Sequence, residues 1–104
     1  MTEPQPLSGR QKKFLRSMAQ RLEPLVWVGE AGLTDGVART LREVFTTHEL
    51  VKVRMRAPED KKALAAALAE ASESTLVGVI GHTAILFRAD PDEPTIELPP
   101  GGAA

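Results

Sequence analysis

The sequence predicts an α/β (α+β) domain with elements in the order α-β-α-β-α-β-β: a mixed sheet with helices packed against it. Three observations carry that prediction. Segments with apolar residues every three or four positions alternate with short apolar or strictly alternating runs. Glycine and proline punctuate the junctions between them. The chain is 104 residues long, 42% hydrophobic and 26% charged, which suits one domain with one modest core.

Residues 1–6 contain two prolines and are expected to be unstructured. Ser8 followed by Gln11 fits a capping box, and the helix it opens carries Phe14, Leu15, Met18, Ala19 and Leu22 on one face. Lys12, Lys13 and Arg16 fall on the other side, and Pro24 ends the helix. LVWV (25–28) is a continuous apolar run, too short for a helix and expected to be a buried strand. GEAG (29–32) breaks it, and Thr34 then caps a second helix whose stripe is Val37, Leu41, Val44 and Phe45.

LVKVRMR (50–56) alternates, with Val51, Val53 and Met55 facing one way and Lys52, Arg54 and Arg56 the other. Pro58 at the first helical position, with Glu59 and Asp60 in the first turn, opens an alanine-rich third helix containing Leu64 and Leu68. TLVGVI (75–80) and AILFR (84–88) are strands of a hairpin turning at Gly81-His82. TIEL (95–98) is a candidate edge strand, and the end, 99–104, is expected to be disordered. The folded domain is therefore placed at 7–98.

Composition narrows the function. With no cysteine there is neither a disulfide nor a thiolate metal site. His48 and His82 have no closely spaced ligand partner, so no metal and no cofactor is expected. Asp35, Glu43 and Glu49 are conceivable active-site carboxylates, but charged helix faces are usually solvated. No G-x-S-x-G elbow occurs, and the chain is not expected to be an enzyme. The N-terminal stretch lacks an apolar signal region and no run reaches the length of a spanning helix, so a cytoplasmic protein is expected.

The formal net charge of −1 hides an asymmetry. Leaving out 1–6 and 89–104 removes five of the 14 acids and none of the 13 basic residues, so the body is net positive by four. A basic body with an acidic tail points to an anionic partner.

Within that body, Gly29-Glu30-Ala31-Gly32 is a G-x-x-G turn. It is not a P-loop, because no lysine lies between Lys13 and Lys52, and its spacing is not that of a dinucleotide site. G-x-x-G is the pattern with which KH domains clamp a nucleic-acid backbone, although any tight strand-to-helix turn also favours glycine. Lys52, Arg54 and Arg56 cannot all lie against an apolar core, so their face is either open to solvent or borders a groove. Together with Lys12, Lys13 and Arg16 they form either ordinary solvated surface or a track for phosphates. Trp27, Phe14, Phe45 and Phe87 all sit in apolar runs and are expected in the core, which argues against base stacking.

LSGRQKKFLRSMAQRLEPLVWVGEAGLTDGV, HELVKVRM and VIGHTAILFR, in this order, resemble the CRM domain family in its single-domain bacterial, YhbY-type form. The resemblance spans about residues 7–98 and rests on the G-x-x-G-L-T turn, the HEL-[IV]-K-V strand entry and the IG-x-T…R hairpin. It implies a four-stranded mixed sheet, similar to the C-terminal domain of the bacterial translation initiation factor that proofreads start sites. It also implies a partner, structured ribosomal RNA in large-subunit precursors, and a role in assembly; separately, a monomer is expected. Carried over, the RNA-contacting residues are Gly29, Glu30, Ala31 and Gly32, with Lys12, Lys13 and Arg16; Lys52, Arg54 and Arg56 follow by strand position. Glu30, His82 and Phe87 depart from the family pattern, and the first two changes reduce the positive charge. The alternative is a protein-interaction module of the same fold without RNA affinity, its acidic tail shielding the basic face.

Overall fold

The computed structural model describes residues 6–56 and 58–100. Among them, the elements are α1 (Gly9–Ala19), β1 (Val26–Val28), α2 (Asp35–Val44), β2 (Leu50–Met55), α3 (Lys61–Ala71), β3 (Thr75–Ile80) and β4 (Thr83–Phe87), in the expected order. The expected unstructured ends lie, for 1–5 and 101–104, outside the described residues.

The strands form a four-stranded mixed sheet in the order β1-β2-β4-β3. β1 runs parallel to β2, with Val26, Trp27 and Val28 opposite Val53, Arg54 and Met55. Parallel neighbours need a crossover, and α2 supplies it. β4 is antiparallel to both β2 and β3, and Gly81 takes a positive φ of 59° to close the β3–β4 hairpin.

Both faces of the sheet are covered, but unequally. On one, α2 and α3 bury Leu41, Phe45, Ala65 and Leu68 against Val28, Val51, Val53 and Leu86. On the other, α1 alone buries Leu15 and Ala19 against Leu50, Val77, Ile85 and Phe87, helped by Leu7, Ile96 and Leu98. The Arg16 stem of α1 lies over Gly78 of β3, and in the turns after the helix the Leu22 carbonyl accepts from Lys52 Nζ of β2 at 3.1 Å.

A single helix cannot cover the whole face, and this corrects the expected core. Phe14, Met18 and Leu22 stay 37–39% exposed, because α1 meets the sheet only along its Leu15–Ala19 line. β1 is not a buried strand. It lies at the sheet edge, so Val26 and Val28 are buried under α2 and α3 whereas Trp27, pointing the opposite way, is 66% exposed. Phe45 and Phe87 are in the core as expected; Phe14 and Trp27 are not.

Helix ends differ from expectation for local reasons. The capping box forms, with Ser8 N–H donating to Gln11 Oε1 at 3.0 Å and Gln11 N–H donating to Ser8 Oγ at 3.1 Å. α1 then stops at Ala19, ahead of Pro24, as Arg21 and Leu22 donate back to Met18 and Ala19 in tight turns. α3 starts at Lys61 rather than Pro58, because the Asp60 carboxylate caps it by accepting from Ala63 N–H at 3.0 Å. TIEL forms no strand. Ile96 and Leu98 instead lay their side chains against the α1-side core.

Candidate nucleic-acid interface

The Gly29–Gly32 turn is closed by Gly32 N–H donating to the Gly29 carbonyl at 3.0 Å. Only one of its glycines is demanded by the backbone. Gly32 has φ +67°, the left-handed region that side chains disfavour. Gly29 has no such φ, and a Cβ built there meets nothing within 4 Å. Among the described residues, the amides of Glu30 and Ala31 have no acceptor, so the turn presents unpaired N–H groups on an open surface. The following helix end is spoken for: Thr34 Oγ1 accepts from Val37 N–H at 3.2 Å, and Asp35 stands in the first turn.

Arg54 and Arg56 stand beside this turn. Arg56 N–H donates to the Val28 carbonyl at 3.0 Å, which ties the end of β2 to the residue just before Gly29. Its guanidinium lies 3.8 Å from the Glu30 carboxylate. Arg54 is exposed and opposite Trp27 in register, on the sheet face that α1 leaves bare. These side chains line a groove of about 410 Å³ with Trp27, Gly29 and His82. His82 reaches it because Met55 N–H donates to the His82 carbonyl at 2.7 Å, fastening the hairpin turn to the end of β2.

The other basic residues lie elsewhere. Lys52 is half-buried, its ammonium held on the Leu22 carbonyl. Arg16 is half-buried with its stem packed on Gly78, where a Cβ would come within 3.3 Å of Arg16 Cδ. Lys12 is half-buried and Lys13 exposed, and none of the three α1 residues lines the groove. The ten expected positions therefore divide: Gly29, Glu30, Ala31, Gly32, Arg54 and Arg56 gather at one end of the sheet. Lys12, Lys13 and Arg16 ride on α1, with Lys52 beneath its C-terminal end.

Two side chains are placed otherwise than their sequence neighbourhood suggests. Trp27 is one; strict alternation along VWV already places it on the face opposite Val26 and Val28. Glu49 is the other. It is buried, not a solvated helix residue, and it clasps the acidic C-terminal segment. Its carboxylate accepts from Asp90 N–H at 2.6 Å, Thr95 N–H at 2.9 Å, Thr95 Oγ1 at 2.7 Å and Ile96 N–H at 2.7 Å. Burial alone would push this carboxyl up, but the four hydrogen bonds together hold it below the ordinary glutamate value. Glu49 precedes β2 and Arg56 follows it, so at ~3.3 Å per residue the clasp is on the order of 20 Å from the groove. Asp90 to Leu98 are thereby held away from the cationic end.

A CRS1/YhbY (CRM) domain model matches residues 7–88. The chain belongs to this family. The CRM domain is 40% identical to the "Probable RNA-binding protein YqeI" of Bacillus subtilis, over 89% of this chain and 99% of that one. It is 36% identical to an "RNA-binding protein" of Haemophilus influenzae, over 89% and 95% of the respective chains. The solution structure of the hypothetical protein SAV1595 from Staphylococcus aureus superposes on 90% of this CRM domain and all of its own chain, with a TM-score of 0.79 and 35% identity. Among the described residues of the CRM domain, no helix is long and apolar enough to cross a membrane, and no cluster of three or more His, Asp and Glu could hold a metal.

Proposed function

We propose that this CRM domain binds RNA, and that its target is ribosomal RNA in precursors of the large subunit, where it acts as an assembly accessory. It works in the cytoplasm as a monomer, by binding and without catalysis. One observation carries the reading. The acceptor-free amides of Glu30 and Ala31 stand beside Arg54 and Arg56 at the open end of the sheet. Backbone N–H groups and guanidinium groups are the donors that grip phosphate oxygens without reading bases. Two relatives that align along nearly their whole length are named for RNA binding.

Sedimentation of the tagged protein with ribosomal particles tests the target. Co-migration with large-subunit precursors is expected. A free-protein peak in mild salt, from cells rich in such precursors, would refute the ribosomal assignment. Retention of the protein on unrelated RNA in the same extract would leave a general RNA binder.

A further inference from the structure

The uncovered row of the sheet holds more than cations. Trp27, Arg54, Thr83 and Ile80 are aligned in register across the four strands, beyond the reach of α1. Trp27 is 66% exposed and Ile80 54% exposed. Tryptophan is highly buried on average, so an indole left open on a sheet face calls for a partner. β1 is an edge strand, which leaves the indole open on its outer side too.

From this arrangement we infer that Trp27 is a stacking platform for one unpaired nucleobase, with the flanking phosphates held by Arg54, Arg56 and the Gly29–Gly32 turn. The inference rests on the RNA-binding reading and gives it a specific subsite. Adjacent strands lie about 4.8 Å apart, so the in-register Arg54 guanidinium is placed to meet the edge or phosphate of a base lying on the indole. The groove, at about 410 Å³, falls in the size range of small-ligand sites. Its lining combines one aromatic face with two guanidinium groups and an imidazole. A flat, π-faced anion uses all of these, whereas an acidic peptide would use the cations and leave the indole face unmatched. The chain's own acidic segment is not the occupant, since Glu49 fastens it at the opposite end of the sheet.

Trp27 is the chain's single tryptophan, so its fluorescence reports this site alone. The experiment titrates the full chain at low salt with fluorophore-labelled hexaadenylate, following both label anisotropy and indole emission. An abasic hexamer with the same phosphates, and a hexa-aspartate peptide, serve as controls. The expected result is strong quenching by hexaadenylate, little by either control, and about tenfold or greater loss of affinity in Trp27→Ala. Trp27→Phe should recover most of that loss. Binding by anisotropy with unchanged emission, or equal affinity of Trp27→Ala, would overturn the stacking role while leaving RNA binding intact. Equal quenching by the abasic hexamer or the peptide would likewise overturn it. No anisotropy change with any RNA at low salt would instead remove the RNA reading itself, and the subsite with it. Circular dichroism of both variants checks the fold, which an exposed edge position should preserve.

Discussion

The Glu30 carboxylate lies 3.8 Å from the Arg56 guanidinium, with both side chains at least 74% exposed. An exposed pair of this kind contributes only about 0–1 kcal/mol to stability. Its effect on an anionic partner is larger in kind, because Glu30 partly occupies one of the two cations lining the groove and lowers the local positive potential.

Glu30→Lys should therefore leave folding stability within about 0.5 kcal/mol and raise RNA affinity. If the new lysine meets a phosphate, the slope of log affinity against log salt should steepen by roughly 0.7–0.9. A marked loss of affinity in an RNA titration would show that the carboxylate takes a direct part in recognition.

The two glycines of the turn should separate folding from binding. Gly32→Ala forces an alanine into φ +67° and should cost about 1–2 kcal/mol in urea unfolding. Gly29→Ala meets no atom within 4 Å and has an ordinary φ, so stability should be unchanged or rise by up to about 1 kcal/mol. The added methyl would stand at the edge of the groove beside the open amides, and RNA binding should weaken. Unchanged binding in Gly29→Ala would move the phosphate contact away from this turn.

Glu49 sets a pH dependence of definite sign. Its carboxyl is held low in the folded protein, so the clasp contributes fully above the ordinary glutamate value of about 4.3 and is lost as pH falls through the folded value. Asp90, held low by the Glu93 and Asp92 amides, adds a change of the same sign. Urea midpoints measured from pH 7 down to pH 3 should fall. In Glu49→Gln the fall should be shallower, and stability at pH 7 should be lower by about 2 kcal/mol, as charge-assisted bonds to three amides and a hydroxyl are weakened. Parallel curves for the two proteins would contradict the clasp.

What the sequence made legible, and what it did not, follows from the range of the interactions. Alternation in LVKVRMR and the glycines at 29, 32 and 81 are local signals, and they led to the correct element order and turns. The lone helix on one sheet face is a tertiary fact. It left Phe14, Met18 and Trp27 exposed although each sits in an apolar stretch. Trp27 was recoverable from period-2 alternation, but a run of four apolar residues hid the alternation. Glu49 was not recoverable, because its partners lie 41 to 47 residues further along the chain and no local pattern announces them. The two basic clusters were both visible, yet only the sheet order shows that Arg54 and Arg56 share the turn's end while Arg16 packs over β3.

The most direct test of the central claim is a titration of a labelled large-subunit ribosomal RNA fragment with the wild-type protein and with Arg54→Ala/Arg56→Ala, across a salt series. Neither arginine supports the core, so the variant should fold normally. Log affinity should fall linearly with log salt, and the double variant should bind more weakly with a slope smaller by roughly 1–2. Wild-type affinity indifferent to salt, no binding at low salt, or identical slopes for the two proteins would show that Arg54 and Arg56 do not hold RNA phosphates.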